Sequence, residues 1–582
     1  MKKIYYLFPL LMLQTVYSQD ILWEKSYGGK HAEYLFDAVP TPDYGFILAG
    51  SSLSKKTGTK TEGNRGDLDY WVWKMDEKGD LDWQKTLGGN GQDILRSVVL
   101  TLDGGYLLAG SSTSDYQKEK EGNFGDKKEA NRGNSDYWVI KLNAQGGEEW
   151  QHTFGGKGQD DLTTVLRTKD GGFLLGGSSS SDASSNSSKG GELSGGEKST
   201  NCFGGLDYWV VKIDKKGTIE WQKTFGGVYN DELRSMTLTT DGGYVLGGSS
   251  NSPSLTQTLS KGDGFTGNKT EECLGQSDYW IIKLDKDGNE QWQEVVGGTG
   301  DDQLYVVLTT KDGNLVLAGN SNSETGENKT RSNESGTDFW MVKLKAEDHS
   351  ILWQETYNIA QVDVLTSVVE NDNSTLLLSG YAQGEMSKVK SQKSKVPSTA
   401  LGKTRNDENK VKKGTADYLV IKTKENGEEL WRKSVGSSGE DILKKAIETR
   451  DGGYLLTGTS KASSNSSKGG EFKASGDRNS GIGSNDFWVV KLKDKDKKKE
   501  EKKPLEAFPN PAMDYTNVIV GYDYTKGTAT VVDLAGHTLQ QFDITDRTVP
   551  VNLTGLPEGI YIVNIKTDKG NGGVKVIKER NK

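Results

Sequence analysis

The sequence predicts an all-β chain: a seven-bladed β-propeller with four-stranded blades, closed by an N-terminal strand, and a small β-sandwich behind it. Three observations carry this. One unit recurs seven times, its Asp-aromatic signature starting at Asp69, Asp136, Asp207, Asp278, Asp338, Asp417 and Asp486, and its later tryptophan falling at Trp23, Trp83, Trp150, Trp221, Trp292, Trp353 and Trp431. Glycine is abundant at 74 of 582 residues, proline numbers 10, and no long apolar stretch has a helical period, which reads as many short strands joined by tight turns. The repeats also start and stop out of phase.

Each unit holds four apolar or aromatic runs, strands a to d; in one unit they fall at 95–101, 106–110, 136–142 and 148–154. Asp103-Gly104-Gly105 between a and b, and an Asp-x-x-Gly-like turn between c and d, supply the positive-φ positions that two hairpins need. Runs such as Tyr208-Trp209-Val210-Val211 are apolar without alternation, as in a sheet covered on both faces, and a radial stack of blades provides that cover. Residues 21–26 form a d strand with nothing before it, and 486–492 a c strand with no d after it. The first strand is therefore expected to complete the seventh blade and leave no open edge.

The a–b–c–d order, the hairpin after c and the ring-closing first strand resemble NHL-type and WD-repeat propellers. The motif Asp-Gly-Gly-Tyr, followed by Asp-Tyr-Trp-Val-Val-Lys-Leu-Asp, resembles repeats of Bacteroidetes surface proteins over residues 20–492. Both resemblances imply a fold and leave function open.

Alternating strand direction puts the short a–b and c–d turns on one face of the disc and the b–c loops and d–a crossings on the other. Long loops at 113–134, 179–204, 250–275, 381–416 and 459–484 are rich in Gly, Ser, Asn and Lys, and 183–192 is repeated letter for letter as 462–471. Recognition by this face is one reading and solvated low-complexity decoration the other.

Five residues on from the first Gly of the Gly-Gly after strand d, or from the residue in its place, stand Glu33, Asp93, Asp160, Asp231, Asp302, Asp363 and Asp441, all acidic. With strand a innermost they are expected to ring the mouth of the central channel. A cation site, taking calcium, is one reading, because hard cations want convergent carboxylates. Recurrence in every blade favours the other, in which each carboxylate accepts backbone N–H bonds in its own crossing. The Asp69 series is expected to work similarly, facing Ser51, Ser111, Ser178 and Ser249 at the end of strand b.

Cys202 and Cys273, the two cysteines, each lie five residues before the c-strand Asp of adjacent units, so a cross-blade disulfide and two free thiols both stand as readings. Without nearby histidine they cannot complete a zinc site. His31, His152, His349 and His537 fall at unrelated strand positions, so no catalytic constellation and no cofactor is nominated. A net charge of −9 spread along the chain excludes a nucleic-acid footprint. Binding or display of a glycan or protein ligand leads; a polysaccharide hydrolase or lyase, and a passive structural or adhesive role, are the alternatives.

At the N-terminus, Lys2 and Lys3, an apolar stretch over 4–13 and the residues to Gln19 read as a secretory signal over 1–19, too short to span a bilayer. No other segment has the length and apolarity of a transmembrane span. Residues 493–503 are almost wholly charged and read as a solvated linker before a domain at 504–582. There, short alternating strands at 517–521, 527–533, 538–543, 559–566 and 572–577 give a small immunoglobulin-like β-sandwich pattern. Ala507-Phe508-Pro509-Asn510-Pro511-Ala512, the strand around Gly559 and Tyr561, and Gly573-Val574-Lys575-Val576-Ile577 resemble the type A C-terminal sorting domain of the type IX secretion system. That resemblance makes Pro509, Asn510, Pro511, Gly559 and Tyr561 its sorting motif, makes the type IX machinery a partner, and implies delivery to the outer cell surface or the medium.

Overall fold

The computed structural model describes residues 20–116, 125–183, 196–256, 267–326, 328–333, 336–384, 416–437, 439–461, 482–494 and 503–579. The expected signal at 1–19 lies outside them. Every named element is a strand. Seven four-stranded antiparallel sheets run in a–b–c–d order: the first is Glu33–Pro40, Phe46–Ser52, Asp69–Met75 and Leu81–Leu87, and the seventh adds Ile21–Tyr27 to Glu440–Thr449, Gly453–Lys461 and Asp486–Lys493. Trp23 faces Lys491 and Tyr27 faces Phe487 in that closing pair. Neighbouring a strands touch from sheet one to sheet seven and from seven back to one, so the ring is closed with the a strands innermost.

The c strands lack alternation because their two faces feed two cores. Tyr137 and Val139 pack with Trp209 and Val211 of the next sheet, while Trp138 and Ile140 pack with Tyr70 and Val72 of the one before. Between sheets, the Tyr70 ring lies 4.8 Å from that of Trp138 and its hydroxyl donates to the Trp138 carbonyl at 3.0 Å. The same latch joins Tyr137 to Trp209, Tyr208 to Trp280, Tyr279 to Trp340 and Tyr418 to Trp488. Phe487 against Trp71, at 4.6 Å, closes the ring. Each such ring pair is worth about 0.5–1.5 kcal/mol beyond its buried area.

The hairpins behave as their residues dictate. Gly104 takes φ 82° in the a–b turn and Gly146 takes φ 79° in the c–d turn, where a Cβ would be strained. Asp103 accepts the Gly105 N–H and pairs at 2.9 Å with the buried Lys141. In sheet six Asn373 stands at the turn-aspartate position, so the buried Lys422 takes Asp494 from beyond the seventh c strand, 2.7 Å away. This corrects the linker boundary: Lys493 extends the c strand opposite Gly453, and Asp494 is fully buried, also accepting the Tyr454 hydroxyl. A charged residue leaves solvent when a matched charge awaits it. Residues 495–502 lie outside the described residues.

The C-terminal segment packs a three-stranded and a four-stranded sheet around Val518, Val531, Val551 and Val563. Two of its strands, Leu505–Phe508 and Thr548–Asn552, escape the sequence pattern; Pro550 interrupts the latter, which is tolerated because it lies at a sheet edge. This domain rests on the turn face of the ring. Glu506 accepts from Arg450 at 2.8 Å, Thr548 from its hydroxyl donates to Asp43 at 3.2 Å, and Lys215 pairs with Asp514 at 3.3 Å.

Candidate functional site

The loop face is built from a repeated anchor. Strand c contributes a fully buried tryptophan whose Nε1 donates to a strand-d glutamine, Trp138 to Gln151 at 3.0 Å and Trp209 to Gln222 at 3.1 Å. The glutamine amide then holds the returning b–c loop from both sides: Gln151 donates to the Asp126 carbonyl and accepts the Lys128 N–H. Between these two residues sits a lysine that the sequence reading missed. Lys60, Lys127, Lys198, Lys269 and Lys329 are all buried and lie over the c-strand tryptophan ring at 5.6 to 6.0 Å. Each stands nine residues before the c-strand Asp, a spacing that could have revealed it. Burial lowers Lys60, Lys127 and Lys329 to about 8. The roots of the loops in sheets one to five are therefore fixed; 117–124, 184–195, 257–266, 385–415 and 462–481 lie outside the described residues.

The first acidic series is not at an open mouth. Glu33, Asp93, Asp160, Asp231, Asp302, Asp363 and Asp441 are fully buried, and each turns back into its own crossing. Asp93 accepts the Gly89 N–H and the Ser114 hydroxyl, both at 2.8 Å; Asp160 does the same with Gly156 and Ser181, and Asp363 accepts from Ile359 and Ala360. Tight crossings demand an acceptor there, and in Asp93, Asp160, Asp231 and Asp302 one carboxylate oxygen, Oδ2, supplies it. The carboxylates face their own turns rather than one another, and among the described residues no group of three or more ligand side chains converges. Hard-cation coordination needs such convergence.

The Asp69 series caps the loop's return instead: Asp136 accepts the Arg132 N–H at 2.5 Å and Asp207 the Phe203 N–H at 2.5 Å. Its expected partners are corrected. Asp69 pairs in register with Ser52, whereas the Ser51 hydroxyl reaches the next sheet and accepts the Leu95 N–H at 3.0 Å. Ser111, Ser178 and Ser249 repeat that clip on Leu162, Leu233 and Leu304. Burial raises the acids, Glu33, Asp69, Asp207 and Asp363 to about 7 and Asp136 and Asp278 to about 6, with the next sheet's carboxylate adding to the rise at Asp69, Asp136, Asp207 and Asp278.

Of the two cysteine readings, cross-blade disulfide and free thiols, the structure has the second: Cys202 and Cys273 are unbonded to each other and each is turned into its own sheet. Cys202 donates to the Ser179 carbonyl at 2.9 Å and Cys273 to that of Ser250 at 3.2 Å. Asn64 makes the equivalent bond to Ser52 at 3.0 Å. The cysteines thus occupy a structural asparagine position, and burial pushes the Cys202 thiol up to about 11. The histidines stay apart: His152 bonds Glu129 at 2.9 Å, His349 stacks on Trp292 at 4.0 Å, and His537 bonds Asp533.

In the C-terminal domain the Pro509-Asn510-Pro511 segment clasps the last strand. Asn510 donates to the Lys575 carbonyl at 2.7 Å and accepts the Ile577 N–H at 2.9 Å, while Tyr561, nearly buried, donates to the Pro557 carbonyl at 2.6 Å and Gly559 opens its strand at φ 153°. Residues 506–579 match the secretion system C-terminal sorting domain. The chain carries a type IX sorting tail. Such a tail implies use of the type IX machinery and export to the cell surface or beyond. Among the described residues no helix is long and apolar enough to cross a membrane.

No curated protein matches the chain. Similar solved structures include a protein of unknown function from Dyadobacter fermentans DSM 18053, 11% identical, covering 63% of this chain and 95% of that one with a TM-score of 0.34. Others are the extracellular domain of the putative hybrid two-component system BT4673 from B. thetaiotaomicron, at 9%, 94%, 81% and 0.27 by the same measures, and PorZ, a surface component of the type IX secretion system of Porphyromonas gingivalis, at 10%, 94%, 81% and 0.22. These likenesses are too distant to bear on what the chain does.

Proposed function

We propose that the exported protein binds a glycan or protein ligand through the loop face of its propeller. The division of labour between the two faces carries this reading. The turn face is occupied by the sorting domain through Asp43, Arg450 and Lys215, which leaves the loop face as the outward one. On that face, the loops of sheets one to five, which differ in length, leave from the same Trp-Gln-Lys root, as recognition loops leave a fixed scaffold. The test is capture by the full chain on glycan arrays and on intact cells, repeated after the segments 117–124, 184–195 and 257–266 are replaced by short Gly-Ser linkers. Capture that disappears with the loops supports the reading; capture unchanged by their replacement, or none from either source, refutes it.

A further inference from the structure

All seven a strands carry a β-bulge at the same place. The register slips between Leu35 and Asp37, Leu95 and Ser97, Leu162 and Thr164, Leu233 and Ser235, Leu304 and Val306, Leu365 and Ser367, and Leu443 and Lys445. A bulge leaves one residue unpaired and re-aims its side chain. Here the strand is the innermost of its sheet and its other face is packed into the blade, so the seven unpaired residues form a girdle round the channel: Phe36, Arg96, Thr163, Arg234, Tyr305, Thr366 and Lys444.

The acid and the leucine of strand a repeat in all seven blades; this position, which follows that leucine, does not. Thr163 and Thr366 spend their hydroxyl protons on carbonyls of the next sheet, those of Leu233 at 2.8 Å and Leu443 at 3.0 Å. Arg96 lies over the Phe36 ring at 4.4 Å, and Arg234 over Tyr305 at 5.8 Å while pairing with Glu232. Lys445, beside the girdle, is paired with Asp37 at 3.5 Å. Lys444 has no hydrogen-bond or ion-pair partner among the described residues. Burial depresses it, and so do Arg96 and Arg234, whose charges reach it although they come from other sheets. Asp161, the acid closest in influence to Arg96, is engaged by Ser135 and Gln159.

The three cations come from sheets two, four and seven, so they divide the ring into steps of two, three and two blades, each on a bulge of the innermost strand. Like charges converging in a partly buried space are costly unless something negative sits between them. We infer that the girdle of Arg96, Arg234 and Lys444 is a binding site for an oxyanion, the carboxylate, phosphate or sulfate group of a ligand that enters the channel. Arginine forks and a lysine point charge are the donors such a group takes. The site lies on the axis, apart from the loop tips, and stands whether or not those tips bind a glycan or protein.

The test is calorimetric titration of the full chain with sodium phosphate, sodium sulfate and sodium galacturonate, each against sodium chloride at matched ionic strength. Saturable binding of at least one oxyanion is expected, weakened by about tenfold or more in Lys444→Met and Arg96→Gln, as loss of a charged hydrogen bond requires, and retained in Lys444→Arg. Phosphate and sulfate without galacturonate would identify a tetrahedral group, and galacturonate alone a carboxylated sugar. Melting separates this from a structural role: without oxyanion Lys444→Met should melt at or above the wild-type temperature, and the same oxyanion concentration should raise the wild type and Lys444→Arg more than Lys444→Met. Absence of binding by all three oxyanions, equal binding to wild type and Lys444→Met, or a Lys444→Met chain that melts lower in oxyanion-free buffer would each overturn the proposal.

Discussion

Two positions three residues apart on strand a behave in opposite ways. At the first, every blade has a carboxylate, fully buried and bonded within its own crossing. At the second, the blades carry Phe, Arg, Thr, Arg, Tyr, Thr and Lys on seven equivalent bulges. A demand made by the blade itself, such as an acceptor for a tight turn, is the same in all seven and leaves a repeating residue. A ligand on the axis meets each blade differently and leaves a residue that varies. Repetition in a ring thus marks scaffold, and departure from it on a scaffold position marks the place to look for chemistry.

The sharpest way to break the scaffold half is to remove an interblade latch. Trp209→Ala deletes a fully buried ring, the Nε1 bond to Gln222 and the stack on Tyr137, and should cost about 3–5 kcal/mol in chemical denaturation. Asp160→Ala and Asp302→Ala come next: each strands a backbone N–H and a serine hydroxyl, at about 1–3 kcal/mol, and the two should agree closely because their partners are equivalent. Unequal losses would mean that one carboxylate does something beyond its turn.

A smaller effect follows from pH. Glu33, Asp69, Asp136, Asp207, Asp278 and Asp363 have folded pKa values raised to about 6 or 7. Such groups hold a proton in the folded chain after the unfolded chain has released it, so the stability they add is present below the ordinary carboxyl range near about 4 and is lost as pH rises through about 7. The melting temperature should decline between pH 5 and 8 by calorimetry, and the decline should lessen in Asp69→Asn. Smallest of all, Cys202→Asn should change stability by less than about 0.5 kcal/mol, since asparagine already serves at that position in other sheets. Mass spectrometry without reductant should find both thiols free.

Much of the fold was legible because its causes repeat. The Asp-aromatic signature, the paired glycines and the orphan first strand led directly to seven sheets and the Trp23 closure. What stayed hidden depends on contacts between units. The Ser51 clip looks like an intrasheet partner of Asp69 until the next blade is in place, and Asp494 looks like linker until Asn373 is seen to have left Lys422 without its turn aspartate. The b–c loops read as low complexity, yet a lysine in each of five is buried on a tryptophan, because a short fixed spacing is masked by the variable length around it. Arg96, Arg234 and Lys444 were invisible for a different reason: aligning repeats draws attention to what agrees, and a bulge leaves no mark in sequence.

The contrast between ring and girdle is tested most directly by a crystal of the full chain soaked in sodium selenate, a sulfate mimic whose selenium scatters anomalously. The account predicts one anomalous peak on the channel axis among Arg96, Arg234 and Lys444, and none beside the carboxylates of Glu33 to Asp441. An empty girdle in a chain that binds sulfate in solution, with selenate elsewhere or nowhere, would contradict it.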